Sequence, residues 1–242
     1  MKKALPIVLL AVVCMIGGIA YFVYGVVDKA IASSCVADCV QVNNGGPTTS
    51  GSGTVKTETR TVGAFTGIDI AVPGKVVIER TGAAGLSVTA DDNLLPLFTS
   101  EVKDGTLYLA VAKDKSFQGR LPVYQIGVAA LGDVRVRGSG DVTATQLDGA
   151  ALSVISSGSS EVRLAGRADS LTLSVAGSGG VDASQLLANQ AKVVVSGSGN
   201  ATVNASDSLD AQVSGSGEVR YLGSPKLTKD IKGSGSVKQK TS

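Results

Sequence analysis

Six serines recur at one place in a repeated turn, and the serine hydroxyl is the only candidate nucleophile that the sequence repeats. Histidine, the usual general base for such a nucleophile, is absent from the sequence. The row therefore predicts structural turns, in which hydroxyls hydrogen-bond along the row or to the turn backbone. The turns read Gly-Ser-Gly or Gly-Ser-Ser; their first glycines are Gly138, Gly158, Gly177, Gly197, Gly215 and Gly233, and their serines are Ser139, Ser159, Ser178, Ser198, Ser216 and Ser234.

Three carboxylates occupy the third position after a turn glycine, namely Asp141, Glu161 and Glu218. Paired carboxylates are the chemistry of polysaccharide hydrolysis, so a polysaccharide-active lyase or hydrolase is the alternative function. Other repeats place a glycine, an asparagine and a serine at the same position, a scatter typical of a solvated edge. We therefore expect no catalytic residues and no enzyme activity.

Metal, cofactor and nucleic-acid binding are not expected either. A calcium-binding β-roll needs an aspartate in every turn at a nine-residue period, and that period is absent. The 22 basic and 20 acidic residues give a net charge of +2 and are spread along the chain. Phosphate-backbone binding needs a basic stripe, so nucleic acid is not predicted as a partner.

The three cysteines all lie near the N-terminus. Cys14 falls inside an apolar run, and Cys35 and Cys39 follow it, which excludes a thiol or zinc site farther along the chain. Cys35 and Cys39 are compatible with a local disulfide and equally with pairing between molecules. Lipidation of Cys35 is a third interpretation.

The N-terminal segment is predicted to meet a membrane. Two lysines precede a run without charges, Ala4 to Val27, which is long enough to span a bilayer as a helix. By the positive-inside rule, the rest of the chain then lies in the periplasm or outside the cell. A cleaved signal peptide is the alternative, because Ala30-Ile31-Ala32 is similar to a cleavage site. We expect residues 1–32 to form this anchor or signal helix and residues 33–57 a flexible Gly/Ser/Thr-rich linker.

The remaining residues, 58–240, are predicted to form one all-β head domain. The turns recur every 18 to 20 residues, and apolar residues alternate with polar ones on both sides of each turn. This pattern predicts a strand, a turn and a strand per repeat, stacked into a β-solenoid. Glycine fits the corners because they need positive φ or a close backbone approach. Lysines in the last repeat predict a charged cap against further stacking; they are Lys229, Lys232, Lys238 and Lys240.

The first half of this head is less regular but also alternates. Phe65, Ile68 and Ile70 begin one such stretch, so we expect β-strands there as well. The sequence Asp91-Asp92-Asn93-Leu94-Leu95-Pro96 interrupts the alternation and predicts a turn or a single helical turn.

Several motifs in combination resemble the DUF2807 family, the putative autotransporter adhesin head or GIN domain. They are Phe65-Thr66-Gly67-Ile68, Asp91-Asp92-Asn93-Leu94-Leu95, Val102-Lys103-Asp104-Gly105-Thr106-Leu107, the Gly-Ser-Gly turns and Tyr221-Leu222-Gly223-Ser224-Pro225-Lys226. The resemblance implies a right-handed parallel β-helix-like fold, export and an adhesin-like role. It implies no catalytic or ligand-binding residues.

These observations predict a non-catalytic cell-envelope module that presents a rigid β-solenoid. Its expected tasks are adhesion, self-association or binding of an envelope component. The expected partners are the membrane, through the N-terminal helix, a second copy of the chain in a homo-oligomer, and a cell-wall or surface glycan or protein.

Overall fold

A computed structural model describes residues 12–16, 19–23 and 39–240. The chain divides into two compact units, residues 1–37 and 38–242. In the first unit, strands β1 (Val12–Ile16) and β2 (Ile19–Val23) pair antiparallel. The helix predicted across residues 4–27 is therefore not found in the described residues, where β-branched side chains favour extended backbone; the rest of that segment lies outside them.

The second unit, called the head below, is built almost entirely from β-strands. Its helical content in the described residues is one 3-10 turn, Leu95–Leu97, so no helix described there is long enough to cross a membrane. The strands are β3 (Cys39–Val42), β4 (Thr48–Ser50), β5 (Val55–Arg60), β6 (Gly67–Ala71), β7 (Lys75–Arg80), β8 (Gly85–Asp91), β9 (Phe98–Lys103), β10 (Thr106–Val111), β11 (Ser116–Arg120), β12 (Val123–Val128), β13 (Asp133–Gly138), β14 (Asp141–Gly158), β15 (Glu161–Gly177), β16 (Gly180–Gly197), β17 (Asn200–Gly215), β18 (Glu218–Leu222), β19 (Lys226–Gly233) and β20 (Ser236–Gln239).

The repeat region is a solenoid with two sheet faces. Face A contains the strand segments that follow the Gly-Ser turns and runs from β5 through β8, β12, β7 and the first halves of β14 to β17 to β18 and β20. Face B contains the segments that lead into the turns and runs from β9 through β10, β6, β13 and the second halves of β14 to β17 to β19. From β6 and β7 to β19 and β20 the neighbours on each face are parallel.

Each coil closes through two different corners. One corner is the Gly-Ser turn, and at the other the long strands β14 to β17 bend without ending. Register shifts mark this second corner, beginning between Ala144 and Leu147. Gln146 there has a φ of 57°, and Gly166 in the next coil has a φ of 135°. Such bulges bend a strand locally, so the chain changes face without breaking its ladder.

The core lies between the two faces and consists mainly of valine, leucine, isoleucine and alanine. Val142 and Ala144 point inward from face A, and Val154 points inward from face B, each fully buried. The same positions are buried in neighbouring coils, so each forms an apolar row along the solenoid. Burying a valine or leucine side chain stabilises the fold by about 1.5–3 kcal/mol, and that gain is available only when neighbouring coils stack.

The N-terminal part of the head contains antiparallel strands that the regular coils lack. On face A, β8 pairs antiparallel with both β12 and β5, and on face B, β9 pairs antiparallel with β10. The predicted turn after Asp91 is present and leads into the 3-10 turn at Leu95–Leu97. The prediction of an all-β solenoid is thus confirmed for the described residues.

Residues 39–57, within the segment predicted as a flexible linker, form strands that pair with later strands of the head. Strand β3 lies antiparallel to β11, and β4 lies parallel to the other edge of β11. The beginning of β5 pairs with the end of β8. The structure differs here from the sequence prediction because short polar strands show no apolar periodicity and are ordered by partners far along the chain.

Candidate functional site

The turn serines lie on one edge of the solenoid, where face B passes into face A. Gly138 pairs with Gly158, which pairs with Gly177, and the pairing continues through the later turns. The serines therefore form one row, about 4.8 Å apart. All six serine side chains are exposed, which makes the row accessible to a partner.

The backbone of this edge explains why the turns repeat. The Ser159 amide donates a hydrogen bond to the Gly138 carbonyl oxygen at 3.0 Å, and the Ser178 and Ser198 amides bond to the preceding coil in the same way. The first glycines have φ between 111° and 123°. A Cβ on Gly197 would lie 2.8 Å from the Gly177 carbonyl oxygen. Both the positive φ and the close stacking therefore require glycine.

One turn has a serine in place of its last glycine, and a second serine nearby supplies a hydrogen-bond partner for it. Its third residue is Ser160, and the inward position two residues before its first glycine is Ser156, where the other repeats have valine or isoleucine. Both serines are buried, and their Oγ atoms are 2.9 Å apart. The hydroxyls thus satisfy each other inside an otherwise apolar row.

The structure brings two of the three candidate carboxylates together. Asp141 on β14 is the register neighbour of Glu161 on β15, whereas Glu218 lies three strands farther along. Neighbouring strands are about 4.8 Å apart, close to the carboxylate separation of retaining glycosidases. Asp141 is exposed and Glu161 half-buried, and Glu161 lies 3.6 Å from the Arg163 guanidinium. The pair therefore stands on an open face next to a cation.

Glu218 has the electrostatics of an ion-pair residue rather than of a general acid. Lys238 Nζ lies 3.2 Å from its carboxylate, and Arg220 Nη2 lies 2.5 Å away. The hydrogen bond from Lys238, helped by Arg220 and opposed by partial desolvation, lowers the pKa of Glu218. A general acid at neutral pH needs a raised pKa.

Asp182, on the same outer face, is also held ionised. Burial opposes its charge, but hydrogen bonds from the Ser184 hydroxyl and amide, together with Lys240 and Arg163, lower the pKa of Asp182. The Ser184 amide is 2.9 Å from Asp182 Oδ1. Face A thus carries alternating fixed charges toward its C-terminal end.

A groove of about 350 Å³ crosses face A near its N-terminal edge. Gly85 and Gly127 oppose each other there in register, and a Cβ on Gly85 would meet no other atom within 4 Å. The groove offers hydroxyl, amide and carboxylate groups, which can hydrogen-bond to sugar hydroxyls. The side chains that supply them are Thr59, Thr81, Ser87, Gln125 and Glu79.

Arg60 crosses the N-terminal end of the solenoid, where β5 pairs only with β8 and β9 only with β10 in the described residues. Its guanidinium donates hydrogen bonds to the carbonyl oxygens of Phe98, at 2.6 Å, and Leu95, at 3.0 Å. It also bonds to the Ser100 hydroxyl and forms an ion pair with Glu58 at 2.8 Å. These contacts join β5 on face A to β9 on face B, and charged residues over a sheet end oppose further strand addition.

The polar motif after β8 fastens the entering chain to the head. Asn93 Nδ2 donates to the Ser50 carbonyl oxygen at 2.8 Å, and the Ser52 amide donates to Asn93 Oδ1 at 2.9 Å. The Ser52 hydroxyl donates to Asp92 Oδ1 at 2.5 Å. Asp91 is buried beside them and its Oδ1 has no hydrogen-bond partner within the described part of the chain. The sequence predicts a turn at these residues but not their bonds to Ser50 and Ser52, because those partners lie about forty positions away.

The C-terminal end is open. Strands β19 and β20 each pair on one side only in the described residues, β19 with β17 and β20 with β18. Ile231 points along the inward row at this end and is 38% exposed, whereas Val213, its neighbour in the preceding coil, is 2% exposed. Part of the apolar core is therefore exposed at this end, between the free edges of β19 and β20.

The remaining predicted site falls outside what the structure describes. Cys35 and the side chain of Cys39 are not among the described features, so their pairing stays a prediction. Within the residues that are described, no cluster of three or more acidic, cysteine or histidine side chains has the geometry of a metal site.

Solved structures with a similar fold come from Bacteroides fragilis and Parabacteroides distasonis. A putative adhesin from Bacteroides fragilis NCTC 9343 is 27% identical with a TM-score of 0.63, covering 79% of this chain and 100% of its own. A putative lipid binding protein and a putative adhesin, both from Parabacteroides distasonis ATCC 8503, are 24% and 20% identical with TM-scores of 0.54 and 0.53. They cover 81% and 80% of this chain and all of their own, and show the fold alone.

A search of curated proteins found no match. The family described as "Putative auto-transporter adhesin, head GIN domain" matches residues 64–225, which contain strands β6 to β18 and all of the Gly-Ser turns except the last. The chain therefore belongs to the DUF2807 family.

Proposed function

We propose that the head is a non-catalytic cell-envelope module that presents a rigid β-solenoid for adhesion, self-association or binding of an envelope component. The observation that carries the proposal is the C-terminal end of the solenoid, where β19 and β20 have free edges and Ile231 of the inward row is 38% exposed. The family of adhesin heads fits such an envelope-associated surface module.

Rigidity comes from the stacking of the coils. Strands β14 to β17 pair along nearly their whole length with both neighbours. A surface ordered in this way loses little conformational entropy on binding, which favours recognition by extended rows of side chains. The exposed serine row, the groove on face A and the open end are the surfaces on which such a partner would act.

The proposed location is the outer side of a membrane, with the N-terminal segment as the anchor. This part of the proposal rests on the uncharged run behind two lysines.

Light scattering on residues 38–242, with and without purified cell-wall glycans, tests this function. The matched chains of the solved relatives lie wholly within this type of head, so the fragment is expected to fold. Discrete oligomers without glycan, or a monomer whose mass rises with glycan, would support a binding head. A monomer that no envelope fraction shifts would count against it.

A polysaccharide-active enzyme remains the second candidate, favoured by the adjacency of Asp141 and Glu161. If they were the catalytic pair, Asp141→Asn and Glu161→Gln would each abolish reducing-end release from an envelope polysaccharide, while Asp133→Asn on face B would not. We expect no turnover above the rate of a buffer control from any of the four proteins.

A further inference from the structure

We propose that the open C-terminal end of the head, residues 218–240, docks on a lipid bilayer surface with anionic headgroups. This inference rests on the proposed function and names its surface and its partner. The partner is a bilayer rather than a soluble molecule, because the end combines positive charge with uncovered core.

The charge of this end differs from that of the rest of the chain. Residues 218–240 contain six basic and two acidic side chains, a net charge of +4, so the other residues together carry −2 of the chain's +2. Each of the five lysines here is exposed. They are Lys226, Lys229, Lys232, Lys238 and Lys240. Lysines near an anionic leaflet each contribute about fivefold to membrane partitioning.

Two of these lysines are already paired, and three are available to a partner. Lys232 lies 3.2 Å from Asp230, and Lys238 lies 3.2 Å from Glu218. Within the described residues, no carboxylate lies within ion-pair distance of Lys226, Lys229 or Lys240. An anionic surface would supply the missing counter-charges.

Uncovered core lies among the lysines. Ile231 is exposed, and Leu227 and Val237 are half-buried beside it. Lys229 occupies the inward row between Leu227 and Ile231, and its register neighbour in the preceding coil is the buried Ala211. Apolar side chains ringed by lysines are typical of surfaces that rest in the headgroup region of a bilayer.

Other occupants fit these observations less well. Contact between the C-terminal ends of two copies would bring ten lysines together, and like charges at an interface are strongly unfavourable. The opposite end of another copy presents strand β5, whose residues after the exposed Val55 are all polar or charged, and Arg60 crosses it, so Ile231 would meet mainly polar groups there. A soluble polyanion would pair with the lysines but leave Ile231 in water.

Vesicle flotation with residues 38–242 tests the proposal. The probes are vesicles of phosphatidylcholine alone and vesicles that also contain phosphatidylglycerol. We expect binding only to the second kind, weakening as salt is raised. Replacing three unpaired lysines together, Lys226→Gln, Lys229→Gln and Lys240→Gln, should reduce binding roughly a hundredfold.

Two controls separate this site from general electrostatics. The triple variant Lys56→Gln, Lys103→Gln and Lys113→Gln removes the same charge from exposed residues away from the C-terminal end and should leave more than half of the binding free energy. Ile231→Ser should weaken vesicle binding about fivefold while leaving the melting temperature within a few degrees.

Equal binding to both vesicle types, or equal losses in the two triple variants, would overturn the proposal. So would soluble polyphosphate that binds as tightly as anionic vesicles with no effect of Ile231→Ser, because the partner would then be a polyanion. If vesicles fail but glycans still shift the mass of the head, only this inference falls and the proposed function stands.

Discussion

At the scale of single residues, the buried hydroxyl groups differ in whether they have a hydrogen-bond partner. Ser156 and Ser160 replace the usual apolar residue and glycine of a coil, and each satisfies the other. Tyr124, in the core of the N-terminal coils, is fully buried with an unpaired hydroxyl in the described structure. The two sites predict opposite responses to removal of a hydroxyl.

Ser156→Val alone should destabilise the head by about 1–3 kcal/mol. It leaves the Ser160 hydroxyl unpaired and places a methyl group where an oxygen stood 2.9 Å away. The double variant Ser156→Val with Ser160→Gly restores the combination of the other repeats and should be at least as stable as the natural protein. Urea titration of the natural protein, Ser156→Val, Ser160→Gly and the double variant gives the coupling energy between the two positions. Additive effects of the two single substitutions would contradict the account.

Tyr124→Phe should stabilise the head by about 1 kcal/mol, because it removes a buried donor that has no acceptor. Its ring packs edge-on against Phe98 at 6.4 Å, a contact that phenylalanine keeps. Tyr108→Phe, on a 37% exposed side chain, is the matched control and should be neutral. Thermal melting measures both, and a lower melting temperature for Tyr124→Phe would reveal an acceptor that the structure lacks.

Burial of Tyr124 also makes the stability of the head depend on pH in the alkaline range. Burial raises the pKa of Tyr124 above its ordinary value of 10.0, with Arg60 opposing the shift. The stability linked to a raised pKa is fully present below the pKa of the unfolded state and is lost as the pH rises beyond it. The natural protein should therefore lose stability above about pH 10, and Tyr124→Phe should lose less of it.

At the scale of the elements, the turn and the cap have different tasks. The turn glycines allow neighbouring coils to approach, and Arg60 joins the edge strands β5 and β9 of the two faces at the N-terminal end. Both depend on contacts between strands that are distant in sequence.

Gly197→Ala should destabilise the head by at least about 2 kcal/mol, since alanine at a φ of 113° is strained and its Cβ would lie 2.8 Å from a carbonyl oxygen. Gly149→Ala is the matched control in the opposite corner, where the nearest atom is 4.0 Å away. Denaturant unfolding compares the two. Equal losses would mean that the turn edge does not require glycine.

Arg60→Leu should destabilise the N-terminal cap by about 2–3 kcal/mol, because it leaves the carbonyl oxygens of Leu95 and Phe98 without their donor. Arg80→Leu removes an exposed arginine whose ion pair spans 3.6 Å, and should cost less than 1 kcal/mol. Hydrogen exchange should show faster opening of β5 and β9 in the first variant only.

At the scale of the whole molecule, the sequence predicted the stacked strands of the repeat but not the contacts at the two ends of the stack. Alternation around each turn glycine predicts stacked strands, and residues such as Val142 and Val162 are buried register neighbours. The cap formed by Arg60 and the clamp formed by Asn93 join residues 35 to 43 positions apart. Such pairings have no local periodicity, so they appear only when the chain is folded. The open end was predicted as a charged cap, but the lysines surround exposed Ile231 rather than cover it.

Lysine labelling of the full chain bound to isolated bacterial envelope membranes tests the central claim most directly, because every lysine of the head reports in one sample. A binding head with an open contact end predicts slower acetylation at Lys226, Lys229 and Lys240, and unchanged acetylation at Lys56 and Lys103. Protection at Lys56 and Lys103 instead, or no protection at any lysine of the head, would contradict this claim.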